Sequence, residues 1–202
     1  IANRDLVQVR LVPDDLAATR AALRAAAEQH DLIITSGGVS VGEEDHLRNA
    51  VLAEGGLDFW ALAIKPGKPF VFGWIHRADG SRALYIDLPG NPVASFVTFL
   101  MLVRPVLGLL AGEGWHLPQA VSLVADFNWP KPDKRREFLR ARLNEQGRVV
   151  LHPHQGSGVL SSAAWAEGVV DLPSGTIVQP GDAVKFISIA ELVQPSISAR
   201  QP

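Results

Sequence analysis

The sequence predicts an α/β layered fold with a mainly parallel sheet, followed by a small all-β, barrel-like C-terminal domain. Strand-like apolar runs alternate with helix-like periods as far as Leu110, in the order β-α-β-α-β-β-β-α. Three glycine- or proline-rich turns, Thr35–Asp45 (TSGGVSVGEED), Lys65–Pro69 (KPGKP) and Leu88–Pro92 (LPGNP), each follow a strand-like run. Beyond Ala111-Gly112-Glu113-Gly114 the chain changes to short β-type runs punctuated by Gly, Pro, Asn and Asp, with little helical periodicity. The expected domains are residues 1–112 and 117–194.

Leu6–Leu11 alternates as a strand does, and Pro13-Asp14-Asp15 then supplies a proline and a capping carboxylate before an alanine-rich helix to about His30. Asp31–Thr35 is a short apolar strand running into the first glycine turn. Glu44–Glu54 has helical spacing with acids in its first turn, and Gly55-Gly56 is the expected stop. Leu57–Ile64 and Pro69–Trp74 are strands on either side of KPGKP. Arg82–Asp87 follows a polar turn at Ala78-Asp79-Gly80 and leads into LPGNP, and a helix from about Pro92 to Leu110 closes this part. The later runs are Ala120–Asp126, Glu137–Leu143, Val149–His152, Gly168–Leu172 and Ala183–Ile189, and the polar tail Gln194–Pro202 is expected to fray.

With 202 residues and 47% hydrophobic content the chain can bury a substantial core. A net charge of −2 gives no global attraction for nucleic acid or anionic membrane, so anion binding must come from local clusters. The absence of cysteine excludes disulfides, thiolate metal sites and a cysteine nucleophile, and fits a reducing cytoplasm. No unbroken apolar run reaches the roughly 18 residues of a membrane span. The longest candidate, Val93–Leu110, is interrupted by Arg104 and Pro105 and reads as a buried helix. The first residue is Ile1 rather than methionine, and a fragment of a longer protein is expected.

In an open α/β sheet, ligands sit beyond the carboxyl ends of the strands, where all three turns would lie. Glycines allow close backbone approach, successive N–H groups form anion-binding concavities, and a helix N-terminus adds positive potential. Ser36, Gly37, Gly38 and Ser40 offer amides and hydroxyls in the first turn, with Asp45 at its end. In KPGKP each lysine precedes a proline and is held extended on a stiff loop. Asn91-Pro92 has the form of a helix cap followed by a first-turn proline. Each turn also has an ordinary structural explanation; together they indicate an anionic small-molecule site. Lys131–Arg142 carries six basic residues against Asp133 and Glu137, and strand alternation puts Phe138, Arg140 and Arg142 on one face. That composition reads as a solvated face. His152-Pro153-His154 reads as a surface loop rather than a metal site, and the five tryptophans as packing.

These turns, in this order and spacing, resemble the molybdopterin molybdenumtransferase family, which includes the bacterial MoeA proteins and the gephyrin E domain. VPDD, DLIITSGGVSVGEED, IKPGKPFVFG and LPGNPVAS look like its molybdopterin-binding three-layer domain, and REFLRARL, GSGVLSS and PGDAVKF like its C-terminal β domain. The resemblance implies molybdenum cofactor biosynthesis: molybdate is inserted into adenylylated molybdopterin and AMP released, with Mg²⁺ assisting. It implies that Ser36, Gly37, Gly38, Ser40, Pro89, Gly90, Asn91 and Pro92 surround phosphate and pterin. Asp45, Lys65 and Lys68 would be the catalytic residues, with Asp45 also at Mg²⁺. Lys65, Lys68, Pro69, Arg140 and Ser161 or Ser162 would hold molybdate, Arg140 completing an oxyanion pocket between the domains.

A cytoplasmic homodimer in the full-length protein, and other cofactor-biosynthesis proteins as partners, are implied in the same way; nucleic acid and membrane are not. Ala94 stands where many relatives have serine, and the upstream Asp-Ser-Asn strand is missing. Binding without efficient turnover is therefore expected of this chain. An adenylyltransferase of the same fold and a non-catalytic scaffold are the alternatives.

Overall fold

The computed structural model describes residues 9–36 and 46–193. In chain order its elements are α1 (Leu16–Gln29), β1 (Leu32–Ser36), α2 (His46–Glu54), β2 (Gly55–Ala61), β3 (Ile64–Lys65), β4 (Pro69–His76) and β5 (Arg82–Leu88). There follow α3 (Pro92–Thr98), a π-helical turn (Phe99–Val103), α4 (Arg104–Leu110), β6 (Val121–Val124), β7 (Arg136–Leu143), β8 (Val149–Leu151), α5 (Leu160–Trp165), β9 (Gly168–Leu172), β10 (Ala183–Ser188) and α6 (Ile189–Val193). Two compact units result. The first is Ile1–Leu62 with Gly67–Gly90; the second is Ala63–Pro66 with Asn91–Pro202. The KPGKP loop is thus divided, Lys65 belonging to the second unit and Lys68 to the first.

In the first unit Asp15 is extended and its Oδ1 accepts the Ala18 N–H at 2.7 Å, which starts α1. Leu23 and Ala27 of α1 and Ala50 and Val51 of α2 pack with Ile33, Val71, Ile75, Ala83 and Tyr85 of the sheet. Burying each large side chain contributes roughly 1.5–3 kcal/mol. The sheet order is β1-β5-β4-β2. Within this sheet only β1–β5 is parallel among the described strands; β4 pairs antiparallel with both β5 and β2. The expectation of a mainly parallel sheet therefore fails for these strands. The connections either side of β4 are too short for the crossover that parallel neighbours need. Gly55 and Gly56 do stop α2, but by entering β2 directly. A Cβ at Gly55 would lie 1.8 Å from the Trp74 carbonyl oxygen, so close β2–β4 approach is what demands glycine there.

In the second unit the sheet order is β3-β7-β9-β10-β6, with β8 also on β7. No ladder among the described residues joins β3 to β6, so the sheet is open rather than a closed barrel. One core gathers Phe127, Leu139, Ala141, Val170, Leu172, Val184 and Phe186. A second packs Phe138, Val169 and Ile187 against Val97, Leu100 and Leu192. The helix Pro92–Leu110 is apolar and long enough to pass for a membrane span by composition alone, a property shared by core helices. Pro105 has no N–H to return to the preceding turn, and the π-helical turn lies just before it.

Candidate functional site

In the first unit, parallel pairing sets Ser36 opposite Leu88, so two of the special turns leave the sheet side by side. Ser36 Oγ donates to the Pro89 carbonyl at 3.3 Å. Immediately behind, Thr35 Oγ1 lies 2.6 Å from the buried Asp87 carboxylate and 2.7 Å from the Tyr85 hydroxyl. This polar cluster ties the ends of β1 and β5 together, and sequence reading passed over it because Thr35 and Asp87 read as ordinary strand termini. Gly37, Gly38, Ser40 and Asp45 lie outside the described residues. Lys68 is exposed with no side-chain partner among the described residues, and its carbonyl accepts the Leu62 N–H at 2.9 Å. Pro69 opens β4.

Asn91 and Pro92 fall in the second unit. Asn91 holds the cap position of α3 but makes no side-chain capping bond, and its buried Oδ1 has no hydrogen-bond partner. The hydroxyl of Ser95 donates to the Asn91 carbonyl at 3.1 Å.

The second unit contains a cavity of about 230 Å³ lined by Lys65, Pro66, Trp129, Glu137, Leu139, Arg140, Gln155 and Gly156. Its place follows from strand pairing. One edge of β7 is covered by β3 at Arg136 and Glu137 and by β8 from Ala141 to Leu143, leaving an interval at Phe138–Arg140. Gln155 fills part of it in place of a strand: Oε1 accepts the Arg140 N–H at 2.9 Å and Nε2 donates to the Arg140 carbonyl at 2.8 Å.

Arg140 is 1% exposed, so the solvated face expected from composition is not what forms. Nε donates to Ser162 Oγ at 3.2 Å, and the terminal nitrogens to the carbonyls of Gly156 at 3.2 Å and Phe138 at 3.4 Å. None of these acceptors is a carboxylate. Two of the five guanidinium N–H groups have no acceptor among the described residues, and burial pushes the pKa down to about 10. The group is still a cation at neutral pH, and an anion in the cavity would relieve its burial. Ser162 is buried and also donates to the Val159 carbonyl at 2.6 Å, whereas Ser161 is exposed.

Lys65 is differently placed. Its Nζ lies 3.1 Å from Glu137 Oε1 and 3.2 Å from Asp133 Oδ2. Burial pulls its pKa down, but hydrogen bonds and charge from Glu137 and Asp133 together raise it. Arg135, hydrogen-bonded to Asp133, holds that carboxyl well below the usual range, helped by Lys65. Sequence reading treated Asp133 and Glu137 as mere counter-charges and missed Gln155. No group of three potential metal ligands exists among the described residues. His152 and His154 instead bond locally, the His154 N–H donating to His152 Nδ1 at 3.1 Å.

The α/β unit thus sets the ends of β1 and β5 side by side, and the β unit holds a buried guanidinium in a small cavity. Residues 2–108 match the probable molybdopterin binding domain and residues 122–189 the MoeA C-terminal region, domain IV. The chain belongs to the molybdopterin molybdenumtransferase (MoeA) family. It is 40% identical over 163 residues to the molybdopterin molybdenumtransferase of Haemophilus influenzae, covering 78% of this chain and 39% of that protein. Against the molybdenum cofactor synthesis protein cinnamon of Drosophila melanogaster it is 32% identical over 183 residues, 84% of this chain and 28% of that protein. A molybdopterin biosynthesis moeA protein from Pyrococcus horikosii superposes with a TM-score of 0.68 at 26% identity, over 88% of this chain and 42% of that one. The chain spans less than half the length of these relatives.

Proposed function

We propose that this chain supplies the molybdopterin-binding and oxyanion-holding parts of an enzyme that inserts molybdate into adenylylated molybdopterin and releases AMP. The observation that carries the reading is Arg140, a buried cation without a carboxylate partner whose remaining donors line a cavity shared with Lys65. Fixed donors aimed at an oxyanion in a site of low dielectric constant stabilise charge with little reorganisation. In this reading Arg140 and Lys65 bind molybdate, and Ser162 and Gln155 hold Arg140 in place. The strand-end turns of Ser36, Gly37, Gly38 and Ser40, and of Pro89, Gly90, Asn91 and Pro92, bind phosphate and pterin. Lys68 and Pro69 are further anion ligands, Asp45 acts at the phosphoanhydride, and Ser161 is a weaker candidate than Ser162 because it faces solvent.

Mg²⁺ would take one or two protein carboxylates together with substrate phosphates. Asp45 is the candidate among the chain's residues, and no step is assigned to the ion. The expected setting is the cytoplasm, in a homodimer of a longer protein working with other cofactor-biosynthesis proteins. An anomalous-scattering soak with tungstate and AMP tests the assignment. Tungstate against Arg140, weakened in a Lys65→Ala, Lys68→Ala double variant, is expected. Tungstate bound only away from Arg140 would refute it.

A further inference from the structure

The cavity wall carries a carboxylate as well as two cations. Lys65, Glu137 and Arg140 line it together, for a formal charge of +1. Glu137 is 2% exposed and firmly oriented. Its Oε2 accepts the Trp129 indole N–H at 2.9 Å and the Asp133 backbone N–H at 3.2 Å, while Oε1 faces Lys65 Nζ at 3.1 Å. The other charges around it are Asp133 and Arg135 in the turn before β7, and Arg140 on β7 itself. A pocket shaped only for the tightest grip on a dianion has no use for a buried acid. Repulsion between like charges a few ångströms apart is strong there.

A carboxylate is useful where the ligand must be told from a near copy. Molybdate and sulfate are both tetrahedral dianions at neutral pH, and differ in basicity: molybdate is the conjugate base of a weak acid and takes up a proton readily, sulfate that of a strong acid. An ionised carboxylate only accepts hydrogen bonds. Facing it, a protonated oxyanion donates, whereas a fully deprotonated one sets acceptor against acceptor with no proton between them. Such a repulsive element against the competitor is a common route to specificity.

Resting on the reading of this cavity as an oxyanion site, we infer that Glu137 is a specificity-determining residue that selects oxyanions able to carry a proton and rejects those that are not. Lys65 balances part of the acid's charge and is itself aimed by Glu137 and Asp133. One proton is taken up from solvent as the dianion binds and is shared between ligand oxygen and carboxylate, and no other bond changes.

Calorimetric titration of the chain with molybdate and with sulfate near neutral pH tests this, using Glu137→Gln and Arg140→Met. The amide keeps the shape of the acid and can still accept from Trp129. The unmodified chain should prefer molybdate by about tenfold or more. Glu137→Gln should raise sulfate affinity by about tenfold, with a smaller change for molybdate, so that the preference collapses. Arg140→Met should lose both anions. An unchanged molybdate-to-sulfate ratio in Glu137→Gln, with binding still dependent on Arg140, overturns the inference and leaves the proposed site standing. Absence of Arg140-dependent binding in the unmodified chain overturns both. Should Glu137→Gln fail to fold, Asp133→Asn in the preceding turn removes one negative charge from Lys65. It should shift the ratio towards sulfate by a smaller factor, and no shift refutes the inference.

Discussion

Arg140→Met separates a residue kept for stability from one kept for a ligand. Removing the guanidinium deletes three hydrogen bonds, to Ser162 Oγ and to the carbonyls of Gly156 and Phe138. Hydrogen bonds from a charged donor contribute about 1.5 kcal/mol each at the low end of their range, and more where an acceptor is left unpaired. Against that loss stands relief of a desolvated cation. Burial lowers the folded-state pKa to about 10 from an ordinary 12.5, so below pH 10 the folded protein carries an unfavourable charge that the unfolded chain hydrates freely.

The two effects oppose each other, and the net change in stability should stay within about 2 kcal/mol, a few degrees in Tm for a chain of this size. Oxyanion binding has no such compensation. Two free N–H donors at about 1.5–3 kcal/mol each correspond to a loss of roughly 10²–10⁴-fold in affinity. Calorimetry with tungstate, beside a thermal melt with and without the anion, reads both quantities. The anion should raise the Tm of the unmodified protein and leave that of the variant unmoved. Arg140→Lys should fall between, since it keeps the charge and loses the planar fork. Affinity retained within threefold in Arg140→Met, or collapse of the fold alongside the loss, would refute the reasoning.

Gly168→Ala should cost about 3 kcal/mol in urea unfolding, because its Cβ would lie 2.4 Å from both the Ile187 carbonyl oxygen and the Phe186 ring; a change below about 1 kcal/mol would contradict the packing of β9 on β10. Lys65 has a folded pKa above its ordinary 10.5, so its ion pairs stabilise fully below pH 10.5 and are lost as pH rises through the folded value. The stability gap to Lys65→Met should be constant near neutrality and narrow in strong base. Asp133, lowered from 3.8, contributes above that pH and loses its contribution as pH falls through the folded value, so the gap to Asp133→Asn should close in acid; a gap insensitive to pH would show that charge is not its origin.

Most of the element order was legible because it rests on local chemistry. Asp15 caps α1 as its position before an alanine-rich run requires, and β9 covers the expected Gly168–Leu172. Helix α5 has no local signal, because its six residues, Leu160–Trp165, follow Val159 at a cap position that makes no side-chain bond and a glycine-serine loop before it. Strand direction among the described strands of the first sheet is carried by the connections between the apolar segments and not by the segments themselves. Five residues of KPGKP and a tight Asp79-Gly80 turn leave room for antiparallel neighbours only.

The site shows the deeper limit. A period of two places Glu137 and Arg140 on opposite faces of β7, so no pattern within that strand suggests that they line one cavity. They meet because the edge of β7 is left open between β3 and β8, and side chains from either face reach the opening. Whether an edge is covered depends on segments more than sixty residues before β7 and about ten after it, which strand periodicity does not register. The same interval explains why a run of six basic residues contains one that is fully buried. Arg140 lies beneath α5, where Ser162 and the Gly156 carbonyl receive it, while its neighbours Arg136 and Arg142 keep access to solvent. A buried guanidinium with donors left over has no structural justification until an anion is supplied, and it is this surplus, rather than the local density of positive charge, on which the proposed oxyanion site rests.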